Sequence, residues 1–224
     1  MIEVLKESWS EFLAQLKPLL IATWPWILTA LVLGTASTMF SDHLNGFVVF
    51  LISVLEIVLQ AMVAFAGLKV LLKSRGEMVE VTSRKIIIYI IAVVYIGIAT
   101  MLGMMLLIIP GIIIMAASFF APVYILQDNQ GPIEAVASSA SLLQGKVLHV
   151  TLLLSGVWLA IYAIEYTAGL LFGVLPVPGL LINAITSSLL MVVGLVTLPV
   201  MVRLQTYLVA EHNKQMQPTL IFPR

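Results

Sequence analysis

The sequence predicts an all-α protein, a polytopic transmembrane helical bundle of about six spans with both termini on the same side. Three observations carry that expectation. Of 224 residues, 61% are hydrophobic and only 10% are charged, against roughly 25% charged in an ordinary soluble domain. Six apolar segments reach or approach the about 20 residues needed to cross a ~30 Å hydrocarbon core. When they are threaded in turn, every lysine and arginine falls on one side.

Residues 1–17 mix Glu3, Lys6, Glu7, Glu11 and Lys17 with Ile2, Leu5, Trp9, Phe12, Leu13 and Leu16. The apolar positions share one helical stripe, which predicts an interfacial amphipathic helix. Its plainest role is a lead-in to the first span. A cleavable signal peptide would begin basic and then turn apolar, which this segment does not. The transmembrane domain is expected over 18–208, with spans at 18–40, 46–72, 86–109, 112–127, 148–175 and 180–208. Short polar or Pro/Gly-rich stretches join them. Residues 209–224 read as a cytoplasmic tail, poorly ordered from 215 onward.

Residues 86–127 carry no charge. As one helix they would run about 63 Å, twice the hydrocarbon core. Proline stops a helix and glycine permits a turn, so Pro110 and Gly111 are expected to reverse the chain. With that hairpin and the N-terminus inside, all eleven Lys and Arg meet the positive-inside rule. Arg203, near the end of the last span, is expected to snorkel to the interface. Between spans four and five, Asp128-Asn129-Gln130-Gly131 reads as a turn. Pro132 and Glu134 suit the first turn of a short cytoplasmic helix, with Ile133, Val136, Ala137, Ala140 and Leu143 at helical spacing and Gly145 at its end.

The stretch 108–150 is IIPGIIIMAASFFAPVYILQDNQGPIEAVASSASLLQGKVLHV. Two apolar helices around Pro-Gly, then Ala-Pro-Val, Gln-Asp, Gly and a small-residue helix near a basic residue resemble the YciC-like family of bacterial inner-membrane proteins. The stretch is also similar to the membrane domain that some bacteria place ahead of a glycerophosphodiesterase. The likeness is looser over the last two spans and is one of hydropathy alone over the first eighty residues. The five-residue loop after the first span departs from members with a long one. The resemblance implies a multi-pass protein of the bacterial cytoplasmic membrane with six helices. It implies no activity and carries over no catalytic residue.

Side chains suited to chemistry are sparse. Cysteine is absent and net charge is zero, so thiol chemistry is excluded and nucleic acid is not an expected partner. His43, His149 and His212 show no metal-ligand spacing. Phosphate-loop, zinc-protease and nucleophile-elbow motifs are missing. No catalytic residue, metal or cofactor is expected. What stands out is polar positions within the spans. Ser53, Glu56, Gln60, Ala64 and Gly67 share a face of the second span. Thr151, Ser155, Tyr162, Tyr166, Gly169 and Gly173 share a face of the fifth, with Glu165 at its edge. Asn183, Ser187 and Gly194 align in the sixth. Small and polar faces are expected to pack inward, with Gly169 and Gly173 at a close helix crossing or, alternatively, a dimer seam.

Glu56, Gln60, Tyr162, Glu165 and Asn183 are thus the candidate intramembrane polar site, because ionisable groups at that depth are costly. The expected function is a non-enzymatic scaffold, accessory or lipid-interacting protein of the envelope. The alternative is a small transporter or channel, with Glu56 and Glu165 coupling to protons or a cation. Membrane lipids are the expected partners, with other membrane proteins or a second copy of the chain left open.

Overall fold

A computed structural model describes residues 2–40, 45–77, 79–173, 191–192 and 194–216. Every regular element among them is a helix: α1 (Ile2–Phe40), α2 (Gly46–Ser74), α3 (Ser83–Leu106), α4 (Ile108–Ala117), α5 (Ala121–Asp128), α6 (Pro132–Leu142), α7 (Val147–Gly173) and α8 (Thr197–Met216). Among the described residues, five stretches of helix are long and apolar enough to cross a membrane: Glu3–Ala36, Val54–Ser74, Ser83–Leu106, Ile109–Asp128 and Val147–Leu171. The protein is therefore a multi-pass membrane protein. Of the expected sixth span, 180–208, residues 180–190 and 193 lie outside the described residues.

Proline placement explains where the helices break. Pro110, Pro122, Pro132 and Pro199 each sit within the first three residues of α4, α5, α6 and α8. The first amides of a helix have no intrahelical partner, so a residue without an N–H is tolerated there. The break before α4 is the single extended residue Leu107, at φ −160 and ψ 139. The expected turn at Pro110 and Gly111 is therefore three residues late: both are already helical. The chain still reverses, since α3 and α4 pack as a hairpin. Gly111 allows close approach rather than a turn. A Cβ on it would lie 2.6 Å from the Met104 amide nitrogen.

No helix end marks residue 17. α1 runs unbroken past Pro18 and Pro25. Its 39 residues span about 58 Å, so its charged start reaches beyond a ~30 Å core. Val4, Ser8, Phe12 and Leu19 are buried, while Trp9 and Leu13 of the expected stripe are exposed. The seam of α1 against its neighbours is therefore rotated from the purely hydrophobic stripe. α8 passes residue 208 and continues to Met216, and 217–224 lie outside the described residues.

The expected helix between spans four and five is present as α6, preceded by Asn129 at φ 57 and followed by Gly145 at φ 77. Its packing face is the expected one only in part, with Leu143 buried and Val136 packed on the core. Ala135, Ser139 and nearby Leu143 are buried, whereas Ile133 is 74% exposed. The Phe120 amide, left over by the turn before α5, donates to Ser139 Oγ at 3.0 Å, and that bond rotates the polar residue inward.

The core is unevenly placed. Leu68, Leu71 and Leu72 near the end of α2, Tyr89 early in α3, Phe120, Ile125, Leu126, Leu143 and Leu204 are all fully buried. Charged side chains gather at this same end. The far end exposes Phe47, Leu51, Met105 and Leu106, as lipid permits.

Candidate functional site

Of the candidate site residues, the structure brings Gln60 and Tyr162 together. Gln60 on α2, Trp158 and Tyr162 on α7, and Gly194, Thr197 and Leu198 line one cavity of about 410 Å³. The Trp158 and Tyr162 rings lie tilted with centroids 6.1 Å apart. Thr197 gives its hydroxyl proton to the Gly194 carbonyl at 2.6 Å, so the wall is more apolar than its residue types suggest. A site of this size with few polar groups suits an apolar ligand or a lipid chain.

Glu56 does not line that cavity. It is half-buried against α1, and its Oε1 lies 3.8 Å from where a Cβ on Gly34 would stand. Glu165 lies on α7, but its side chain is outside the described residues, as is the whole of Asn183. The structure thus separates Glu56 from the Gln60–Tyr162 cavity and leaves the pairing of the two carboxylates outside the described residues.

The expected inward polar face of α7 is corrected. α7 buries Val150, Leu154, Ile161 and Ala168, while Tyr162 is 58% and Tyr166 is 70% exposed. Apolar packing against α4 sets the seam instead. No described residue comes within 4 Å of a Cβ built on Gly169, so the expected close crossing there does not occur among the described residues. The side chain position at 173 lies outside them.

A polar centre at the charged end was not legible in the sequence. Arg75 donates from Nε to Glu11 Oε1 at 2.9 Å and from Nη2 to Oε2 at 2.7 Å. Arg203 donates from Nε to the same Glu11 Oε2 at 2.6 Å and from Nη1 to Glu7 at 2.7 Å. Arg75 also reaches Thr206 at 3.1 Å. Arg203 is therefore held in an ion-pair network rather than snorkelling free. Beside it, Gln205 donates to Gln127 at 3.2 Å and Gln127 to Glu77 at 2.6 Å. Lys146 pairs with Glu211 at 2.5 Å. These contacts tie the starts of α1 and α7, the ends of α2 and α5, and α8 into one platform.

The Glu7–Glu11 spacing was the available signal, since i,i+4 carboxylates face the same neighbour on a helix. Their partners lie far away in sequence and carry no local pattern. Two arginines meet two glutamates, so the centre is electrically balanced and acts as a clasp. Grooves of about 670 and 320 Å³ open on either side, the first lined by Ser10, Glu11, Gln15, Ser74, Arg75 and Arg203. No group of three or more His, Asp or Glu suited to a metal occurs among the described residues.

No family model matches the chain, and the searches of curated proteins and of solved structures gave no significant match.

Proposed function

We propose that the chain is a non-enzymatic, multi-pass protein of the bacterial cytoplasmic membrane, with both termini cytoplasmic. It serves as an envelope-associated scaffold or accessory protein, working through its charged end and its contact with lipid. The supporting observation is the clasp around Glu11, which fixes α1, α2 and α8 into a rigid platform flanked by open polar grooves. A polar platform of this kind presents surface without needing a reactive group. Lipids are the first partners, with other membrane proteins or a second copy docking at the platform. The likeness of 108–150 to the YciC-like family supports the bacterial cytoplasmic membrane as the location and carries no role.

The transporter alternative needs a polar path, and the cavity between α2 and α7 is walled mainly by apolar side chains without Glu56. The test is a flux screen with the purified chain in liposomes carrying internal pH and cation reporters. Flux no greater than in protein-free vesicles is expected. Proton or cation flux that Glu56→Gln abolishes would replace the scaffold role by transport.

A further inference from the structure

The α3–α4 hairpin ends in a run with no polar side chain. From Met101 to Ala117 every residue is Met, Leu, Ile, Ala, Gly or Pro. At the tip, Met105 is 72%, Leu106 80%, Leu107 68% and Ile109 71% exposed. The neighbouring connection between α1 and α2 is composed for water, with Ser41, Asp42, His43 and Asn45. The start of α2 at Gly46 and the end of α3 at Leu106 lie at the same end of the bundle.

Their heights differ as well. Phe65 on α2 and Tyr89 on α3 meet edge to face with centroids 5.2 Å apart, which sets the register of the two helices. From Phe65 to the first residue of α2, Gly46, is about 28 Å at the helical rise. From Tyr89 to the last residue of α3, Leu106, is about 25 Å. The α3–α4 tip therefore stops about 3 Å short of the start of α2.

The backbone of the tip is economical. Leu107 gives its N–H to the Gly103 carbonyl at 3.0 Å, and its own carbonyl accepts from Gly111 at 3.5 Å. Pro110 has no N–H to satisfy. Irregular backbone in hydrocarbon leaves polar groups unpaired at several kcal/mol each; this reversal confines the irregular part to one residue, while the amides of Ile108 and Ile109 and the last carbonyls of α3 stay without helical partners.

We infer that the α3–α4 hairpin does not emerge into water at the end opposite the charged platform, but finishes inside that leaflet as an apolar wedge contacting lipid chains. Its exposed surface continues without interruption into the lipid-facing side of α3 at Ile98 and Ile91. This rests on the membrane spans alone and stands whether or not the scaffold role does.

The native chain has no cysteine, so single reporters are clean. Leu107→Cys, Ile109→Cys and Gly46→Cys are each labelled with a nitroxide in detergent and reconstituted as the full chain. A Cβ on Gly46 meets nothing within 4 Å. Collision with oxygen and with a water-soluble nickel chelate is then read by power saturation. At 107 and 109, high oxygen access with chelate access at least about tenfold below that at 46 is expected, because the chelate is excluded from hydrocarbon. Chelate access equal to that at 46 would place the tip in water. Low access to both would place it in a protein seam, such as one between two copies. Either overturns the wedge, and agreement of the two reporters guards against a local disturbance at one of them.

Discussion

Glu11 and Arg75, 64 residues apart, form a two-point ion pair in which each carboxylate oxygen accepts from a different guanidinium nitrogen, at 2.9 and 2.7 Å. Glu11 is 10% exposed and also accepts from Arg203. Removing it strands two cations against each other. Glu11→Ala is expected to lower stability in detergent by about 2 kcal/mol, below the full cost of a broken buried pair because Arg203 is half-open. Glu7, 59% exposed, makes a surface pair, so Glu7→Ala should cost less than about 0.5 kcal/mol. Thermal unfolding of the two variants side by side checks the difference. Equal effects would mean that the clasp is not centred on Glu11.

Gly103 and Gly111 meet backbone to backbone across the α3–α4 hairpin. A Cβ on Gly111 would lie 2.6 Å from the Met104 amide nitrogen and 2.9 Å from its Cα. Main chain cannot yield as a side-chain tip does, so Gly111→Ala must open the hairpin, at about 2 kcal/mol or more. Gly97 and Gly156 lie in helices with nothing within 4 Å of a built Cβ. Alanine at either should be neutral or stabilising by up to about 1 kcal/mol. Midpoints of thermal unfolding in the same detergent compare the three.

Glu56 is half-buried beside Gly34. If it acts by packing α1 on α2, glutamine keeps the hydrogen-bonding capacity and never ionises. Glu56→Gln is then expected to shift stability by less than about 1 kcal/mol and to leave vesicle permeability unchanged. Measuring both on one preparation separates packing from proton coupling, since only coupling makes permeability depend on this residue.

Composition made the class of the protein legible, because so few charges cannot cover a water-facing surface. Apolar runs located the spans, and the absence of charge across 86–127 required a reversal. They did not locate the reversal to the residue. Pro110 is compatible with a turn and equally with the first turn of a new helix, and packing of Gly103 on Gly111 decided between them. Polar stripes misdirected the face of α7, because Tyr162 and Tyr166 are tolerated where α7 turns away from α4. Within the candidate site, Gln60 and Tyr162 line one mainly apolar cavity, whereas the Glu11 clasp depends on three segments far apart in sequence.

In the proposed arrangement α2, α5, α7 and α8 bring their charged ends to one side of the membrane. Cysteines at Ser74, Gln144 and Gly46 test it directly, using an impermeant thiol reagent on sealed vesicles of known sidedness. Positions 74 and 144 should react from the same face and position 46 only from the opposite one, with all three reacting once detergent is added. Reaction of 144 from the face that labels 46, and not from the face that labels 74, would contradict the hairpin and the platform built on it.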